Sequence, residues 1–255
     1  MLQAGSFIRA EYAAFSREHA EVKGRHDLVS YVDRQAEDML FNALKPLVHG
    51  AHFLMEESGG REDLSLPLWI IDPLDGTTNF IYGVPVFCVS VALYWQGQSV
   101  LGFVYDMMRE EMFHAVRGGG AFLNGRTLQV SACPVLDDGL VATGFPFRDL
   151  DRLDEYMALL REMMCGTRGI RRLGSAALDL AYVAAGRFDA FFESNLRPWD
   201  VAAGALLVQE AGGQATDFDG GDQFLLGRNI LASNGLLHPE LRALIQRVRA
   251  GTRPA

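Results

Sequence analysis

Leu68-Trp69-Ile70-Ile71-Asp72-Pro73-Leu74-Asp75-Gly76-Thr77-Thr78-Asn79-Phe80 is the stretch on which the reading of this chain turns. Residues 68–71 form an apolar, partly β-branched run of the length of a buried strand. The run breaks at Asp72-Pro73, and Asp75 follows three residues after Asp72. Two carboxylates at a strand end can share one hard cation, which prefers oxygen ligands. Proline holds its own φ and donates no N–H, so the bend is stiff, with the Leu74 carbonyl facing outward as a further oxygen. Gly76 admits a close approach to the backbone. Thr77-Thr78-Asn79 opens a short helix that ends near Gly83 and Pro85, and the free N–H groups of a helix start attract an anion. Cation ligands, an anion seat and the Thr77 hydroxyl within six residues have the layout of a phosphoryl-transfer site. The plain alternative is an Asp-Gly turn that merely ends a strand.

Upstream, residues 2–20 carry Phe7, Ala10, Ala14 and Phe15 near helical spacing and predict a first helix. Residues 21–27 are polar and without period, and read as a mobile loop with Lys23 solvated in it. Residues 28–48 predict an amphipathic helix with a stripe of Val32, Ala36, Met39, Leu40, Ala43, Leu44 and Leu47. Asp33 stands beside that stripe near the first turn, where the helix dipole favours a negative charge. His52–Met55 is a short strand delivering Glu56 and Glu57, and adjacent strand residues point to opposite faces, so one of the two can face a site. His49 and His52 have no third ligand nearby and read as structural.

Downstream, residues 87–95, 100–106 and 111–116 predict successive antiparallel strands. Gly118-Gly119-Gly120 is not followed by a phosphate-loop lysine, and Asn124-Gly125 between short strands signals a hairpin. After Pro134, strands at 140–143, 169–173, 188–192 and 230–233 alternate with helices at 151–164, 175–185 and 201–211 and a last helix opened by Pro239. The Gly174-Ser175-Ala176 corner offers helix-start N–H groups. Glu193 reads as a charged strand end, and Asp200 as a helix N-cap.

A net charge of −9 without any basic run argues against a nucleic-acid surface. Cys88, Cys133 and Cys165 are odd in number and widely spaced, which argues against disulfides and zinc. Neither a signal-peptide pattern nor an apolar run of membrane-span length is present, so the cytoplasm is expected.

Four stretches in this order resemble the inositol monophosphatase family: Phe53-Leu54-Met55-Glu56-Glu57-Ser58, the central stretch, Gly174-Ser175-Ala176-Ala177-Leu178-Asp179 and Pro198-Trp199-Asp200-Val201-Ala202-Ala203-Gly204. The resemblance runs from about Ala4 to the end of the chain. It implies an α/β (α+β) fold, a layered α-β-α-β-α sandwich, as one domain over 1–255 with halves of about 1–134 and 135–255, usually paired as a homodimer. The family's first helix usually extends two or three turns further ahead of Ala4-Gly5, so some core-facing surface is expected to be exposed here. The activity implied is that of a lithium-sensitive, Mg²⁺-dependent phosphomonoesterase that hydrolyses myo-inositol monophosphate with metal-activated water.

By the same resemblance, Glu56, Asp72 and the Leu74 carbonyl hold a first Mg²⁺. Asp72, Asp75 and Asp200 hold a second, and Glu56 supports a third, giving two to three ions. Thr77, backed by Asp33 or Glu56, draws off the proton of the attacking water. The substrate lies against Glu56, Leu74, Asp75, Gly76, Thr77, Gly174, Ser175, Ala176, Glu193 and Asp200, with Glu193 taking an inositol hydroxyl. Lys23 matches the family's loop lysine facing the metals. Physical chemistry agrees on the cofactor: five converging carboxylates would repel without cations, and an all-oxygen donor set favours Mg²⁺ over Zn²⁺. Bacterial members often accept several sugar phosphates, so fructose bisphosphate, histidinol phosphate and 3′-phosphonucleotides are the alternative substrates. A regulatory protein using this fold without turnover is the alternative of a different class. Loss of a metal carboxylate would mark it, and none is missing.

Overall fold

Leu68 and Ile70 pack into one buried cluster and Trp69 and Ile71 into another, so this strand is covered on both faces. Such a strand must lie between two layers. The computed structural model describes residues 1–24, 27–60, 63–147 and 150–251, with the side chains of residues 22–24 and 27 outside that description. In chain order the elements are α1 (Leu2–Ala14), β1 (Glu21–Gly24), β2 (Asp27–Val29), α2 (Tyr31–Leu44), β3 (His52–Met55), β4 (Gly59–Gly60), β5 (Leu68–Asp75), α3 (Thr77–Tyr82), β6 (Cys88–Trp95), β7 (Gln98–Asp106), β8 (Glu111–Val116), β9 (Gly120–Leu123) and β10 (Arg126–Thr127). There follow β11 (Leu140–Thr143), α4 (Leu153–Gly166), β12 (Gly169–Arg171), α5 (Ala176–Ala184), β13 (Ala190–Ser194), α6 (Pro198–Glu210), β14 (Gln214–Thr216), α7 (Phe224–Gly227), β15 (Asn229–Ser233) and α8 (His238–Gly251).

An eight-stranded sheet runs β10-β9-β8-β7-β6-β5-β3-β4, and a five-stranded sheet runs β12-β11-β13-β15-β14. The larger sheet is antiparallel except where β3 joins β5. Ile8 of α1 and Val32, Ala36 and Leu40 of α2 bury its outer face with Trp69, Ile71, Val89 and Val91. Its inner face, with Leu68, Ile70, Ala92, Val104 and Phe113, meets α5 and α6. The same two helices cover Ala142, Phe191, Ile230 and Ala232 of the smaller sheet. Val141, Phe192 and Leu231 point the other way, onto Tyr156 and Leu159 of α4 and Leu241 and Ile245 of α8. The result is the expected α-β-α-β-α sandwich. All nine residues of α5 are buried, as expected of a helix caught between two sheets. Its many alanines let the layers close.

Three local expectations change. The first helix stops at Ala14 because Phe15 turns extended, with its ring 4.9 Å from that of Phe80; Arg17–His19 is a separate 3₁₀ turn. The helix expected over 28–48 starts at Tyr31 and ends at Leu44, leaving Leu47 outside it and exposed. Its start is set by a capping box: Val32 N–H donates to Ser30 Oγ at 3.1 Å, and Ser30 N–H donates to Asp33 at 2.8 Å. The mobile loop expected around Lys23 is instead the antiparallel hairpin β1–β2, with Glu21 opposite Val29. Backbone pairing forms it without any side-chain period. Lys23 belongs to β1, and its side chain lies outside the described part. The Asn124-Gly125 hairpin forms as expected, with φ of 50° and 79°.

His238 opens α8 buried, its ring nitrogens 2.9 Å from Ser233 Oγ and 3.0 Å from Thr216 Oγ1. Burial first, and then the Arg242 charge, push it down to about 4. A histidine depressed when folded takes up its proton in the unfolded chain first, so its contribution is complete above about 6.5 and is lost as pH falls toward 4. Between pH 7 and pH 4.5, melting temperature is therefore expected to drop further in the parent protein than in His238→Gln. Parallel thermal melts of the two proteins check this; identical pH profiles would contradict it.

Candidate active site

Side chains three apart on a regular strand point to opposite faces. Asp72 and Asp75 escape this because β5 does not stop at Pro73. Asp72 is opposite Ser90 and Asp75 is opposite Cys88, so Pro73 and Leu74 share the single position of Val89. The extra residue is a bulge, and it brings both carboxylates to one side. Proline is admitted there because a bulge needs no N–H at that point. One oxygen each from Asp72, Asp75 and Asp200 lie within 4.8 Å of one another, a group that could hold a metal ion.

Each carboxylate is positioned separately. Leu74 N–H donates to Asp72 Oδ1 at 2.9 Å. Asp75 Oδ2 accepts from Ser175 Oγ at 2.6 Å and from Ala177 N–H at 2.7 Å, which ties β5 to the start of α5. Ser175 thus precedes α5 but spends its hydroxyl on Asp75. Asp200 is not the N-cap, because α6 starts at Pro198 after Arg197; it stands in the first turn, accepts from Arg197 N–H at 2.6 Å and also joins the cluster. Glu56 follows β3 and hydrogen-bonds to Asp72. Its turn is held by buried Glu37 of α2, which accepts from Glu57 N–H at 2.9 Å and from Ser58 N–H at 3.0 Å.

Burial raises the Asp72 carboxyl well above its usual range, and the charges of Glu56, Asp75 and Asp200 raise it further, as does its hydrogen bond with Glu56. Burial also raises Asp75, against the hydrogen bonds from Ser175, Ala177 and Ala176 and the Arg172 charge. Clustered acids that hold protons because their charges are desolvated suit a divalent cation, since a cation would replace the protons. With no histidine or thiolate in the group, the donors are hard.

Thr77, the first residue of α3, places its hydroxyl 2.9 Å from Asp33 Oδ1 and 3.0 Å from the Leu74 carbonyl. Asp33 is buried, and its other oxygen accepts from Ser30 Oγ at 2.6 Å. Gly76, at φ 100°, makes the left-handed turn into α3; a Cβ there would lie 2.9 Å from the Val86 carbonyl.

These groups open on a cavity of about 720 Å³. Glu56, Asp72, Leu74, Asp75, Gly76 and Thr77 line it, and so do Gly174, Ser175, Ala176, Glu193 and Asp200. Asp33 reaches it only through Thr77. Sequence reading missed Glu37, Asp179, Arg172, Phe145 and Phe147. Glu37 had a faint signal, an acid on the apolar stripe of α2. Arg172 sits over the rings of Phe145 and Phe147 at 5.5 and 5.6 Å, a contact between distant segments that no local pattern announces.

The family model "Inositol monophosphatase family" matches residues 1–250. An inositol-1-monophosphatase of Mesorhizobium japonicum is 44% identical over 97% of this chain and 92% of its own length. A Pseudomonas aeruginosa protein named Nus factor SuhB is 50% identical over 88% of this chain and 84% of its own. The crystal structure of extragenic suppressor protein suhB from Bartonella henselae superposes with a TM-score of 0.89 at 44% identity, covering 96% of this chain and 95% of that one. The chain belongs to the inositol monophosphatase family. Membership makes it a phosphatase-type protein of a metal-dependent family. Among the described residues no helix is long and apolar enough to cross a membrane.

Proposed function

We propose that this protein is a Mg²⁺-dependent phosphomonoesterase acting on polyol monophosphates, myo-inositol monophosphate foremost. The observation that carries the reading is the convergence of Asp72, Asp75 and Asp200 within 4.8 Å at the cavity that Thr77 also lines. Glu56, Asp72, the Leu74 carbonyl, Asp75 and Asp200 would hold two to three Mg²⁺. When bound, the ions supply charge neutralisation at the phosphoryl oxygens and a water acidified enough to attack. Thr77 Oγ1 would accept a proton from the cavity side as it gives its own to Asp33 Oδ1, whose orientation Ser30 fixes. Gly76, Ser175 and Ala176 present backbone around the phosphate and polyol, and Glu193 accepts from a hydroxyl remote from the phosphorus. A Cβ on Gly144 would collide with the Glu193 carboxyl, so that glycine makes room for it. Lithium sensitivity, a homodimer and a cytoplasmic setting complete the reading. The second reading, a regulatory protein on this fold, draws on relatives named as Nus factors. Intact carboxylates favour turnover.

Phosphate release from a panel of inositol, sugar and nucleotide phosphates, with Mg²⁺ and with EDTA, tests this directly. Hydrolysis confined to the Mg²⁺ arm is expected, and silence across the panel overturns the reading. Within that panel, Glu193→Ala should cut the preference for inositol phosphate over glycerol 2-phosphate about tenfold, the size of one lost buried hydrogen bond. An unchanged kcat/KM ratio would leave Glu193 a structural strand end.

A further inference from the structure

Asp179 lies on α5 three residues after Ala176, so the two share a helix face, and both line the cavity. It is 1% exposed, and its Oδ1 is buried without a hydrogen-bond partner. An acid in an otherwise apolar, fully buried helix is costly, and an unpaired oxygen makes it more so. Leucine or alanine would serve the packing better, so the packing does not account for an aspartate. The second feature is its surroundings. Glu193, Arg172 and Ser175 border the same cavity, and Glu193 and Arg172 are near enough to act on the Asp179 carboxyl electrostatically.

We infer that Asp179 is a specificity residue which, beside Glu193, holds a hydroxyl of the alcohol portion of the substrate and so selects phosphates of polyols. This rests on the phosphatase reading above and adds to it a second group that reads the alcohol. A hydroxyl offers one donor and two acceptor lone pairs. Glu193 takes the donor. Asp179 supplies the complement, because a carboxyl 1% exposed, with one oxygen unpaired and a second acid at the same cavity, favours its uncharged form. The uncharged acid carries a proton to give. A hydroxyl engaged on both sides distinguishes a polyol ester from an ester of an alcohol with no second hydroxyl, such as a phenol. Neither acid reads it alone: two ionised carboxylates would both demand the same proton.

The test compares kcat/KM for myo-inositol 1-phosphate with that for p-nitrophenyl phosphate, in the Mg²⁺-loaded parent protein and in Asp179→Leu and Asp179→Asn. In Asp179→Leu the ratio should fall about tenfold while the melting temperature holds or rises, because an apolar group of similar shape replaces an unpaired polar one. Asp179→Asn still donates from its amide and should stay within about threefold of the parent. An unmoved ratio in the leucine variant overturns the inference. So does a leucine variant that melts well below the parent, since that makes Asp179 a structural group. So does an asparagine variant as unselective as the leucine one, since that removes the donor role. If the parent hydrolyses only p-nitrophenyl phosphate, the polyol assignment fails with Asp179 while the metal-dependent chemistry stands. If it hydrolyses neither ester, the phosphatase reading itself fails and takes this inference with it.

Discussion

Asp72→Asn is expected to lower phosphate release at least about 10³-fold, the loss of several kcal/mol of cation-supplied stabilisation, and yet to leave the metal-free protein more stable. Asp72 is the member of the cluster against which Glu56, Asp75 and Asp200 all act. Asparagine keeps the shape and one oxygen, and the Leu74 N–H that now bonds Asp72 Oδ1 can bond the amide oxygen instead. What disappears is a buried carboxyl whose ionisation, without cations, costs on the order of 1–3 kcal/mol as pH rises. A domain of this size gains roughly 2–4 °C of melting temperature per kcal/mol. The sign with pH follows from the raised carboxyl. A group that holds its proton longer when folded stabilises the fold below the unfolded value of about 3.9, and loses that contribution as pH climbs through its folded value. Melting temperature of the EDTA-treated parent should therefore fall with rising pH more steeply than that of the variant. Added Mg²⁺ should raise the melting temperature of the parent and much less that of Asp72→Asn. A variant that hydrolyses inositol phosphate normally, or that gains the full Mg²⁺ stabilisation, would remove Asp72 from the metal site.

The layers could be read from the chain because burial imposes period. Residues 68–71 are apolar throughout, and a strand apolar on both sides needs a cover on both sides. Asp72 and Asp75 stood out as two carboxylates at one strand end, whereas Asp200 read locally as a helix cap and joined them only through the family resemblance. What joins them was not. The bulge at Pro73-Leu74 depends on where β6 places Val89, a pairing across the sheet that no spacing within β5 encodes. The capping box at Ser30 and Asp33 had a local signature, and reading it would have started α2 at Tyr31. Residues 21–27 failed for the opposite reason. Their pairing runs through backbone N–H and C=O groups, and the polar residues there carry no apolar alternation to reveal it. Asp179 stands inside the Gly174–Asp179 motif without a role that the sequence announces, and only its burial and its unpaired oxygen set it apart from a solvated helix charge.

Thr77→Ala is expected to reduce kcat by about 10²–10⁴-fold, the range of a lost general acid–base step, with KM changed only a few-fold. The hydroxyl has one proton and two acceptors in reach, Asp33 Oδ1 at 2.9 Å and the Leu74 carbonyl at 3.0 Å. Ser30 holds the far oxygen of Asp33, so this carboxylate is aimed at Thr77 and cannot swing to the cavity by itself. A proton leaving an attacking water must therefore pass through Thr77 to reach it. Such a relay acts in the transition state and contributes little to ground-state binding. A purely structural role predicts something else. Thr77 follows Gly76, the α3 N-cap residue, and no side-chain cap bond is made there. Alanine is the better helix former, so α3 should persist. The buried Asp33 oxygen would lose a partner at a cost of about 1–3 kcal/mol, which a melt would register for Thr77→Ala and not for Thr77→Ser. Serine keeps the hydroxyl and loses only a methyl, so it should retain turnover within about tenfold. Steady-state kinetics on parent, serine and alanine proteins with saturating Mg²⁺ separate the cases. Should serine fall as far as alanine, or should alanine raise KM while sparing kcat, Thr77 is a positioning residue and the proton leaves by another route, for which Glu56 in the cavity wall is the other candidate base.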